Sequence, residues 1–411
     1  MTNIEKNMEK LADLVVKKGV NVQKGQPVIL RCPVERADFA RLVAKKAYER
    51  GAVEVVIQWS DDPLTLMKFE NAPVEHFEEV PDWMVQRTKY YMEKGACVIS
   101  VAATDPELLK DVDPKKIATW SKAFSAANKE NMKYTMNDLN SWCVVSVPTV
   151  GWAKRVFPDV SEDEAMEKLW NAIFYTTRTD QEDPVSTWDE HIGVMDRHAA
   201  VLNEKQYKKL HYKNSLGTDL EVELPENHIW ISGGSENAKG DVFIANMPTE
   251  EVFTLPKRDG VNGKLYSTKP LNMSGNLVDE MVFTFENGKV VDYDAKVGKQ
   301  HLTDLFDVDE NARYLGEVAL VPYDSPISNS GLLFYNTLFD ENASCHFAFG
   351  KAYPTCIKGG VELSDEELLE AGVNDSLIHE DFMVGSKDLE ITGELPNGEV
   401  EYIFKDGNWA F

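Results

Sequence analysis

Residues 26–59, QPVILRCPVERADFARLVAKKAYERGAVEVVIQW, indicate the fold of the first half of the chain. Gln26–Arg31 is predicted as a short apolar strand, Glu35–Arg50 as a helix and Val53–Trp59 as a second buried strand. Gly51 follows the helix, where glycine commonly ends helices because it adopts a left-handed backbone without strain. Strand, helix and strand in succession build parallel sheets. We therefore expect an α/β N-terminal domain with a largely parallel sheet.

The alternation of helix and strand continues as far as about residue 200. Neither GxGxxG nor GxxxxGK[ST] follows any of the strands, so the loop that cradles nucleotide phosphates is missing. A nucleotide-binding function is therefore disfavoured. The predicted elements are a helix at Trp83–Lys94, a strand at Ala96–Ala102, a helical stretch at Lys115–Asn137, a strand at Trp142–Val147, a helix with its N-cap at Ser161–Tyr175 and a long helix at Trp188–Tyr212.

The second half of the chain has the pattern of antiparallel strands. Leu220–Leu224 and Val282–Glu286 alternate apolar and polar residues. Asn287-Gly288 and Asn397-Gly398 each lie between two such runs, which is a strong signal for a hairpin. The 411 residues also exceed what one hydrophobic core usually supports. We predict an N-terminal domain of residues 1–200 and an α+β domain of residues 201–411 that is rich in antiparallel strands.

The charge balance limits the partners of the chain. There are 43 basic and 69 acidic side chains, which gives a formal net charge of −26. This charge repels phosphate backbones and anionic lipids, so we expect no nucleic acid and no membrane partner. It favours cationic partners, including metal ions and substrates with a free amine. Many acidic proteins carry such a charge only because it keeps them soluble.

The cysteines and the N-terminus predict a cytoplasmic location. The five cysteines are scattered and contain no CxxC pair, which argues for a reducing compartment and against a disulfide framework. The first residues, MTNIEKNMEKLADLVVKKG, form an amphipathic pattern with charges of both signs, unlike a signal peptide. No apolar run reaches the roughly 18 residues that a membrane span needs.

The stretch from residue 316 to residue 381 concentrates possible metal ligands in mostly apolar sequence. Charged groups are rarely buried unless they are paired or bind a metal. His379 and Asp381 are two positions apart and so share one face of a strand. A His–Asp hydrogen bond that tethers a loop is the alternative. The possible donors are Glu317, Asp340, Glu341, His346, Tyr353, His379 and Asp381.

Two further places supply glutamates. Glu317 enters the apolar run Val318–Val321, and one of Glu250 and Glu251 is expected on the inward face of a strand at Thr249–Thr254. A glutamate at a strand end is usually solvated, so each is weak evidence alone. Carboxylates and imidazoles together are the donors that divalent cations prefer.

Other kinds of site are less well supported. Cys345 is a possible thiol nucleophile, although Cys345 and Cys356 lack the spacing of a zinc finger. Tyr353 in this setting is more often a core residue. HExxH and GxSxG are both absent, which weighs against helix-borne zinc proteases and serine hydrolases of the α/β type.

Four segments carry a resemblance to a known family: MPTEEVFTLP (247–256), GEVALVPYDSPIS (316–328), NTLFDENASCHFAFGKAYP (336–354) and IHEDFMVGS (378–386). In these and in its N-terminal half the chain resembles the thermophilic-aminopeptidase family of metallopeptidases. The resemblance implies a metal-dependent aminopeptidase that releases N-terminal amino acids from peptides with a free N-terminus. It also implies a homodimer with an internal chamber.

The resemblance implies two divalent metal ions per subunit, which could be zinc, cobalt, manganese or magnesium. Glu317 and Glu251 are the catalytic candidates, as bridging ligand or general base, with Glu317 preferred as the bridge and Glu250 the adjacent alternative to Glu251. A metal-dependent dipeptidase or amidase and a purely structural metal site are the alternative functions. The implied ligands are Glu251, Glu317, His346, Tyr353, His379 and Asp381.

Overall fold

Residues 2–273 and 276–411 are described by the computed structural model of the chain. They divide into two compact units, each assembled from separate stretches of sequence. The N-terminal unit comprises Met1–Ile192, Gly234–Thr249 and Leu333–Leu338, and the C-terminal unit comprises Gly193–Gly233, Glu250–Leu332 and Phe339–Phe411. The division into domains of residues 1–200 and 201–411 stays a prediction.

The longer helices belong to the first half of the chain. Ser161 caps one of them as predicted, because its Oγ accepts a hydrogen bond from the Glu164 N–H at 3.3 Å. None of the described helices combines the length and apolar character needed to cross a bilayer. The α-helices are α1 (Asn3–Leu14), α2 (Ala37–Glu49), α3 (Asp62–Asn71), α4 (Asp82–Met92), α5 (Pro114–Met136), α6 (Val150–Val156), α7 (Glu162–Thr176), α8 (Pro184–Lys205), α9 (Lys299–Phe306), α10 (Pro326–Ser330), α11 (Thr337–Asp340) and α12 (Asp365–Glu370).

The strands form one parallel sheet and several antiparallel ones. They are β1 (Pro27–Pro33), β2 (Glu54–Ser60), β3 (Cys97–Val101), β4 (Trp142–Val145), β5 (Lys209–Lys213), β6 (Asp219–Glu223), β7 (Gly234–Glu236), β8 (Val242–Ile244), β9 (Asn246–Met247), β10 (Val252–Thr254), β11 (Val261–Tyr266), β12 (Leu271–Met273), β13 (Asn276–Glu286), β14 (Lys289–Val297), β15 (Leu315–Leu320), β16 (His346–Gly350), β17 (His379–Met383), β18 (Glu390–Glu394), β19 (Val400–Lys405) and β20 (Asn408–Trp409).

The N-terminal unit contains the predicted parallel sheet. Its strand order is β2-β1-β3-β4-β9, and every neighbouring pair is parallel. β1 has neighbours on both sides and buries Pro27–Leu30. The prediction that β2 is also a buried strand is wrong, because β2 lies at the edge and its residues are exposed or half-buried. An apolar run does not reveal a strand's place in the sheet.

The long helix predicted at Trp188–Tyr212 is wrong in its second part. Helix α8 ends at Lys205, and the next residue, Gln206, has a left-handed φ of 48° that an α-helix cannot continue through. Leu210 and Tyr212 are buried in alternation with half-buried neighbours in β5. This strand pairs with β6 and β18, so sheet pairing decides its conformation.

The largest sheet of the C-terminal unit is antiparallel. Its order is β12-β13-β11-β6-β5-β18-β19-β20, and β14 pairs with β13. Both predicted hairpins are confirmed. Asn287 and Gly288 join β13 to β14 with φ values of 49° and 81°, the positive values that tight hairpin turns favour. Gly398, with a φ of 87°, lies between β18 and β19.

A second antiparallel sheet, β10-β15-β16-β17, brings the candidate donors together. Ala348 on β16 pairs with Glu317 on β15 and with Asp381 on β17. Side chains of paired residues lie on the same face, and residues two apart on a strand share that face. His346 and His379 are each two positions from one of these residues, so all four possible ligands share one face.

The opposite face of this sheet is an aromatic core. The ring centroids of Phe349 and Phe382 are 4.5 Å apart in a stacked arrangement, and those of Phe283 and Phe349 are 5.0 Å apart. Every residue of β15 and β16 is buried. Each such aromatic pair contributes about 0.5–1.5 kcal/mol beyond its buried area. This packing holds the strands in register beneath the charged face.

Replacing Gly350 with alanine tests how tightly β16 approaches the segment before β17. Gly350 has a φ of 94°, and an added Cβ would lie 2.3 Å from the Ile378 carbonyl oxygen. We expect Gly350→Ala to lower the free energy of unfolding by more than about 1 kcal/mol in urea denaturation. The control is Gly359→Ala, where φ is 75° but nothing lies within 4 Å of the added Cβ. Equal losses in the two variants would contradict the steric argument.

Candidate metal centre

Two glutamates and a histidine of the four-stranded sheet are almost fully buried. The exposed fractions are 7% for Glu251, 5% for Glu317 and 1% for His346. Glu251 immediately precedes β10, Glu317 is the third residue of β15 and His346 begins β16. Charged groups withdrawn from water to this degree need close partners.

Glu317 lies between two histidines. Its Oε1 is 3.4 Å from His346 Nε2, and its Oε2 is 3.7 Å from His379 Nε2. Glu251 Oε2 is 3.2 Å from His346 Nε2, and Asp381 Oδ1 is 3.6 Å from His379 Nε2. Each oxygen of Glu317 therefore faces a different histidine.

These five residues form two overlapping sets of possible ligands. The first donor group is Glu251, Glu317 and His346, and the second donor group is Glu317, His379 and Asp381. Within each group the ligand atoms lie within 4.8 Å of one another. Glu317 belongs to both groups, which is the arrangement expected of a residue that bridges two metal ions.

The ring nitrogens of the histidines are oriented by backbone carbonyls. His379 Nδ1 is 2.7 Å from the Lys351 oxygen, and His346 Nδ1 is 3.3 Å from the Ser344 oxygen. Because a carbonyl only accepts, each Nδ1 carries the donating hydrogen. Both Nε2 atoms are thus directed toward the carboxylates, as in metal sites where a backbone carbonyl fixes the histidine tautomer.

The carboxylates dominate the electrostatics of both histidines. Burial by itself lowers the pKa of His346, but hydrogen bonds with Glu251 and Glu317 outweigh it and raise that pKa well above its usual value. Burial also acts to lower the pKa of His379, and the charges of Asp381 and Glu317 raise it overall. In the metal-free protein both histidines therefore hold a proton more readily than a free imidazole does, which helps to neutralise the site.

Tyr353 lies beside the second donor group. Its ring is half-buried, with its centroid 5.3 Å from the ring of His379 and 5.9 Å from that of Phe253. Burial, followed by the charge of Glu317, raises the pKa of Tyr353 well above its usual value. The phenol keeps its proton at neutral pH, so it can donate a hydrogen bond. Its place among the metal ligands stays a prediction.

Glu341 lies with the carboxylates of the cluster; the sequence indicates it as a possible donor, but it is outside the ligand set that the family resemblance implies. It is 8% exposed, and Asn342 Nδ2 donates to its Oε1 at 3.3 Å. Burial raises the pKa of Glu341 well above its usual value, and the charges of Asp381 and Glu251 raise it further. Its position in the donor-rich stretch was the available signal, but no spacing rule connects a short 3-10 turn to the strands.

Glu250 and Glu251 are both buried, whereas the sequence predicted only one of them on an inward face. The exposed fraction of Glu250 is 6%. Strand β10 begins at Val252, so strict alternation does not yet apply to the two glutamates. The Glu250 N–H donates to Asn342 Oδ1 at 2.8 Å. The donor groups include Glu251 and not Glu250, and the choice of ligand stays a prediction.

The donor set fits a divalent metal. Within the described part of the chain, the ion-pair partners of Glu251, Glu317 and Asp381 are histidines, with no lysine or arginine among them. Asp381 Oδ1 has no hydrogen-bond partner there, and its 3.6 Å distance to His379 Nε2 is too long for the tether considered above. Buried carboxylate oxygens and imidazole nitrogens are the ligands of zinc, cobalt, manganese and related ions.

The alternative of a thiol nucleophile is not supported. Cys345 is 1% exposed, and its Sγ lies 3.4 Å from both the backbone nitrogen and the carbonyl oxygen of Val321. Burial raises the pKa of the Cys345 thiol to about 12. A thiol that stays protonated and enclosed is a poor nucleophile.

Comparison with known proteins places the chain in a family. Residues 4–409 match the family described as thermophilic metalloprotease (M29). The chain is 50% identical to aminopeptidase 2 of Geobacillus stearothermophilus, over 100% of this chain and 99% of that protein. It is 48% identical to aminopeptidase AmpS of Bacillus subtilis (strain 168), over the full length of both. The chain belongs to the thermophilic metalloprotease family, as its sequence motifs predict.

Solved structures support the same assignment. The wild-type AmpT structure from Thermus thermophilus matches with a TM-score of 0.92 and 38% identity, over 99% of this chain and 100% of that one. This match confirms the predicted fold class. A dihydroxypyridine dioxygenase from Pseudomonas putida KT2440 matches with a TM-score of 0.54 and 11% identity, over 100% of this chain and 98% of that one. That likeness shows a shared fold alone.

Glu341 predicts how pH changes the stability of the metal-free protein. Because its folded pKa is raised, Glu341 stays protonated where the unfolded chain ionises, so wild-type stability falls as pH rises above about 4.5 through the folded value. Glu341→Gln removes this titration. In urea denaturation with chelator, we expect the variant to gain stability relative to wild type between pH 5 and pH 8. If the difference in free energy of unfolding between the variant and wild type did not change with pH, the buried, charge-coupled setting of Glu341 would be contradicted.

Cys345→Ser tests the thiol alternative. The serine hydroxyl can bond with the Val321 backbone as the thiol does, so we expect cleavage of peptide substrates to remain within about threefold of wild type. Val321→Ala is a control for small changes in packing around position 345. Complete loss of activity in a folded Cys345→Ser variant, with Val321→Ala active, would restore the thiol mechanism.

Proposed function

We propose that the chain is a metal-dependent aminopeptidase that removes N-terminal amino acids from peptides. The single observation that carries the proposal is the sharing of Glu317 between the two donor groups. Membership of a metalloprotease family and relatives named as aminopeptidases support it. No feature of the site favours the dipeptidase or amidase alternative.

The proposed centre holds two divalent metal ions. Glu251 and His346 would hold one ion and His379 and Asp381 the other, with Glu317 shared between them as the bridging ligand. Tyr353 completes the proposed ligand set as a neutral phenol. Zinc, cobalt, manganese and magnesium all suit such mixed donors, and metal availability often decides among them.

The bound metals would polarise the scissile carbonyl and activate a water molecule at neutral pH. Glu317 and Glu251 are the catalytic candidates. Glu317 is preferred as the bridging ligand, which leaves Glu251 as the candidate general base. The protonated Tyr353 would donate a hydrogen bond to the oxygen on which negative charge develops.

The surplus of carboxylates accounts for a preference for free N-termini. Glu251, Glu317 and Asp381 supply three carboxylates for two histidines. The whole chain carries a net charge of −26. Both features favour a substrate whose α-ammonium group reaches the site. An acetylated N-terminus lacks this charge and should be rejected.

We also propose that the enzyme works as a homodimer in the cytoplasm. The cytoplasmic location is supported by five cysteines that are all free and buried, which suits a reducing compartment. The homodimer follows from the family resemblance. Nucleic acids and membranes are not proposed as partners because of the strong negative charge.

Hydrolysis of a small substrate panel tests the proposal. The panel contains leucyl-, arginyl- and glutamyl-p-nitroanilide, a tripeptide and the same tripeptide with an acetylated N-terminus. We expect release of the first residue, loss of activity with chelator and recovery with zinc, cobalt or manganese. Cleavage of the acetylated peptide, or activity that survives effective metal removal, would overturn the proposal. Failure on the tripeptide with activity on dipeptides would favour the dipeptidase.

The same substrate panel applied to the Glu317→Gln variant tests the role of the bridging residue. The substitution keeps the shape of the side chain but removes its negative charge and its basicity. We expect turnover to fall by about 10³-fold or more, on the scale of losing a charged ligand shared by two metal ions. Glu366→Gln is the matched control at an exposed position of α12. A folded Glu317→Gln enzyme with near wild-type turnover would remove Glu317 from its proposed role.

A further inference from the structure

The segment Gly350–Ala352 connects β16 to Tyr353 and orients a histidine of the second donor group. The Lys351 carbonyl oxygen accepts the hydrogen bond from His379 Nδ1 at 2.7 Å. The Lys351 N–H donates to the Ile378 oxygen at 2.7 Å, one residue before His379. The direction of His379 Nε2 therefore depends on where the backbone of Lys351 is held.

Asn374 forms hydrogen bonds with the residues on both sides of Lys351. Its side-chain Nδ2 donates to the Gly350 oxygen at 2.6 Å, and its backbone oxygen accepts from the Ala352 N–H at 2.9 Å. Asn374 is 1% exposed. The buried Asn374 therefore fixes the Lys351 carbonyl from both sides, through its side-chain amide at Gly350 and through its backbone oxygen at Ala352.

The orientation of the Asn374 amide is itself determined. Nδ2 also donates to the Asn311 oxygen at 3.0 Å, so both of its hydrogens face carbonyls. Oδ1 accepts from Arg258 Nε at 3.1 Å, and Arg258 Nη2 donates to Asn311 Oδ1 at 2.8 Å. The Arg258 guanidinium also packs 3.9 Å from the centre of the Tyr314 ring. A flipped amide would place Oδ1 against two carbonyl oxygens, so one orientation is selected.

We propose that Asn374 is a positioning residue of the metal centre and acts on His379 through the Lys351 carbonyl. Arg258 supports it by fixing the amide. This inference rests on the proposed function, because its effect is expressed in the metal that His379 would bind. Partners of this kind fix the tautomer and the ring orientation of a metal-binding histidine.

Asn374→Asp is the substitution that tests this positioning role most specifically. Aspartate has the same shape as asparagine and can still accept from Arg258. It has no N–H to donate, so an oxygen would face the carbonyl oxygens of Gly350 and Asn311. The expected result is a displaced Lys351 carbonyl and a misdirected His379, with no direct contact to a metal ligand removed.

The first measurement is the binding of cobalt(II) to chelator-treated protein. The affinity is measured by titration, and the visible absorption spectrum of the bound ion is recorded. We expect Asn374→Asp to bind cobalt about 10–100-fold more weakly at the affected site, with a changed spectrum. In the peptide assay we expect kcat to fall more than KM rises. The spectrum reports ligand geometry independently of activity.

Asn203→Asp is the matched control. The Asn203 side chain also clamps a backbone segment, donating to the Trp230 oxygen and accepting from the Trp230 N–H, both at 2.8 Å. It belongs to neither donor group. We expect this variant to lose stability and keep the wild-type cobalt affinity and spectrum, which separates positioning from a general loss of folding stability.

The outcomes distinguish this inference from the proposed function. Wild-type cobalt affinity and spectrum in Asn374→Asp, while wild type binds metal and cleaves peptides, would overturn the positioning role alone. A wild-type protein that binds no cobalt would overturn the proposed function itself. If Asn374→Asp does not fold, the Arg258→Lys variant is tested instead, because it weakens the hydrogen bonding that orients the Asn374 amide. A smaller loss of affinity in the same direction is then expected, and unchanged affinity would refute the inference.

Discussion

The mutual repulsion of buried carboxylates is the constraint on which the C-terminal unit depends. Glu251, Glu317 and Asp381 are brought to one face of a sheet with only histidines as ion-pair partners in the described chain. Like charges in a poorly solvated site oppose folding unless a cation or a proton compensates them. Protons on the histidines help to compensate this charge in the metal-free protein, and bound metal ions would compensate it more fully. Stability and function are therefore coupled at this site.

The aromatic face of the same sheet stabilises the fold and so opposes the repulsion among the carboxylates. Phe283, Phe349 and Phe382 pack against one another beneath the charged face. A strand with one aromatic face and one ligand face cannot slip by one residue, because a slip would bury the ligands among the rings and expose the rings to the site. The small side chain of Ala348, between Glu317 and Asp381, leaves the space in which the donors meet.

The site also depends on backbone groups that are far apart in the sequence. His346 and His379 each use Nδ1 on a carbonyl, which leaves Nε2 for the carboxylates. Asn374 in turn bonds the residues on either side of Lys351, Gly350 through its side chain and Ala352 through its backbone oxygen. The geometry of the donors therefore extends beyond the residues that would touch a metal, into turns and loops whose composition gives no sign of this role.

The sequence alone supplied the candidate donors of the site and predicted much of the fold. Apolar runs separated by helical segments predicted the parallel sheet, and Asn-Gly pairs predicted both hairpins, because these signals are local. The His-x-Asp spacing placed two donors on one strand face for the same reason. Long family motifs identified the metalloprotease class without any structure.

Only the tertiary structure decided how these pieces meet. The edge position of β2, the change from helix to strand after Lys205 and the burial of both Glu250 and Glu251 depend on neighbouring strands. Glu341 lies near the carboxylates and Asn374 bonds Gly350, both from segments that no periodic pattern describes. Local sequence sets which side chains are available and which way a strand alternates, whereas strand register and long-range hydrogen bonds set which of them come within reach of one another.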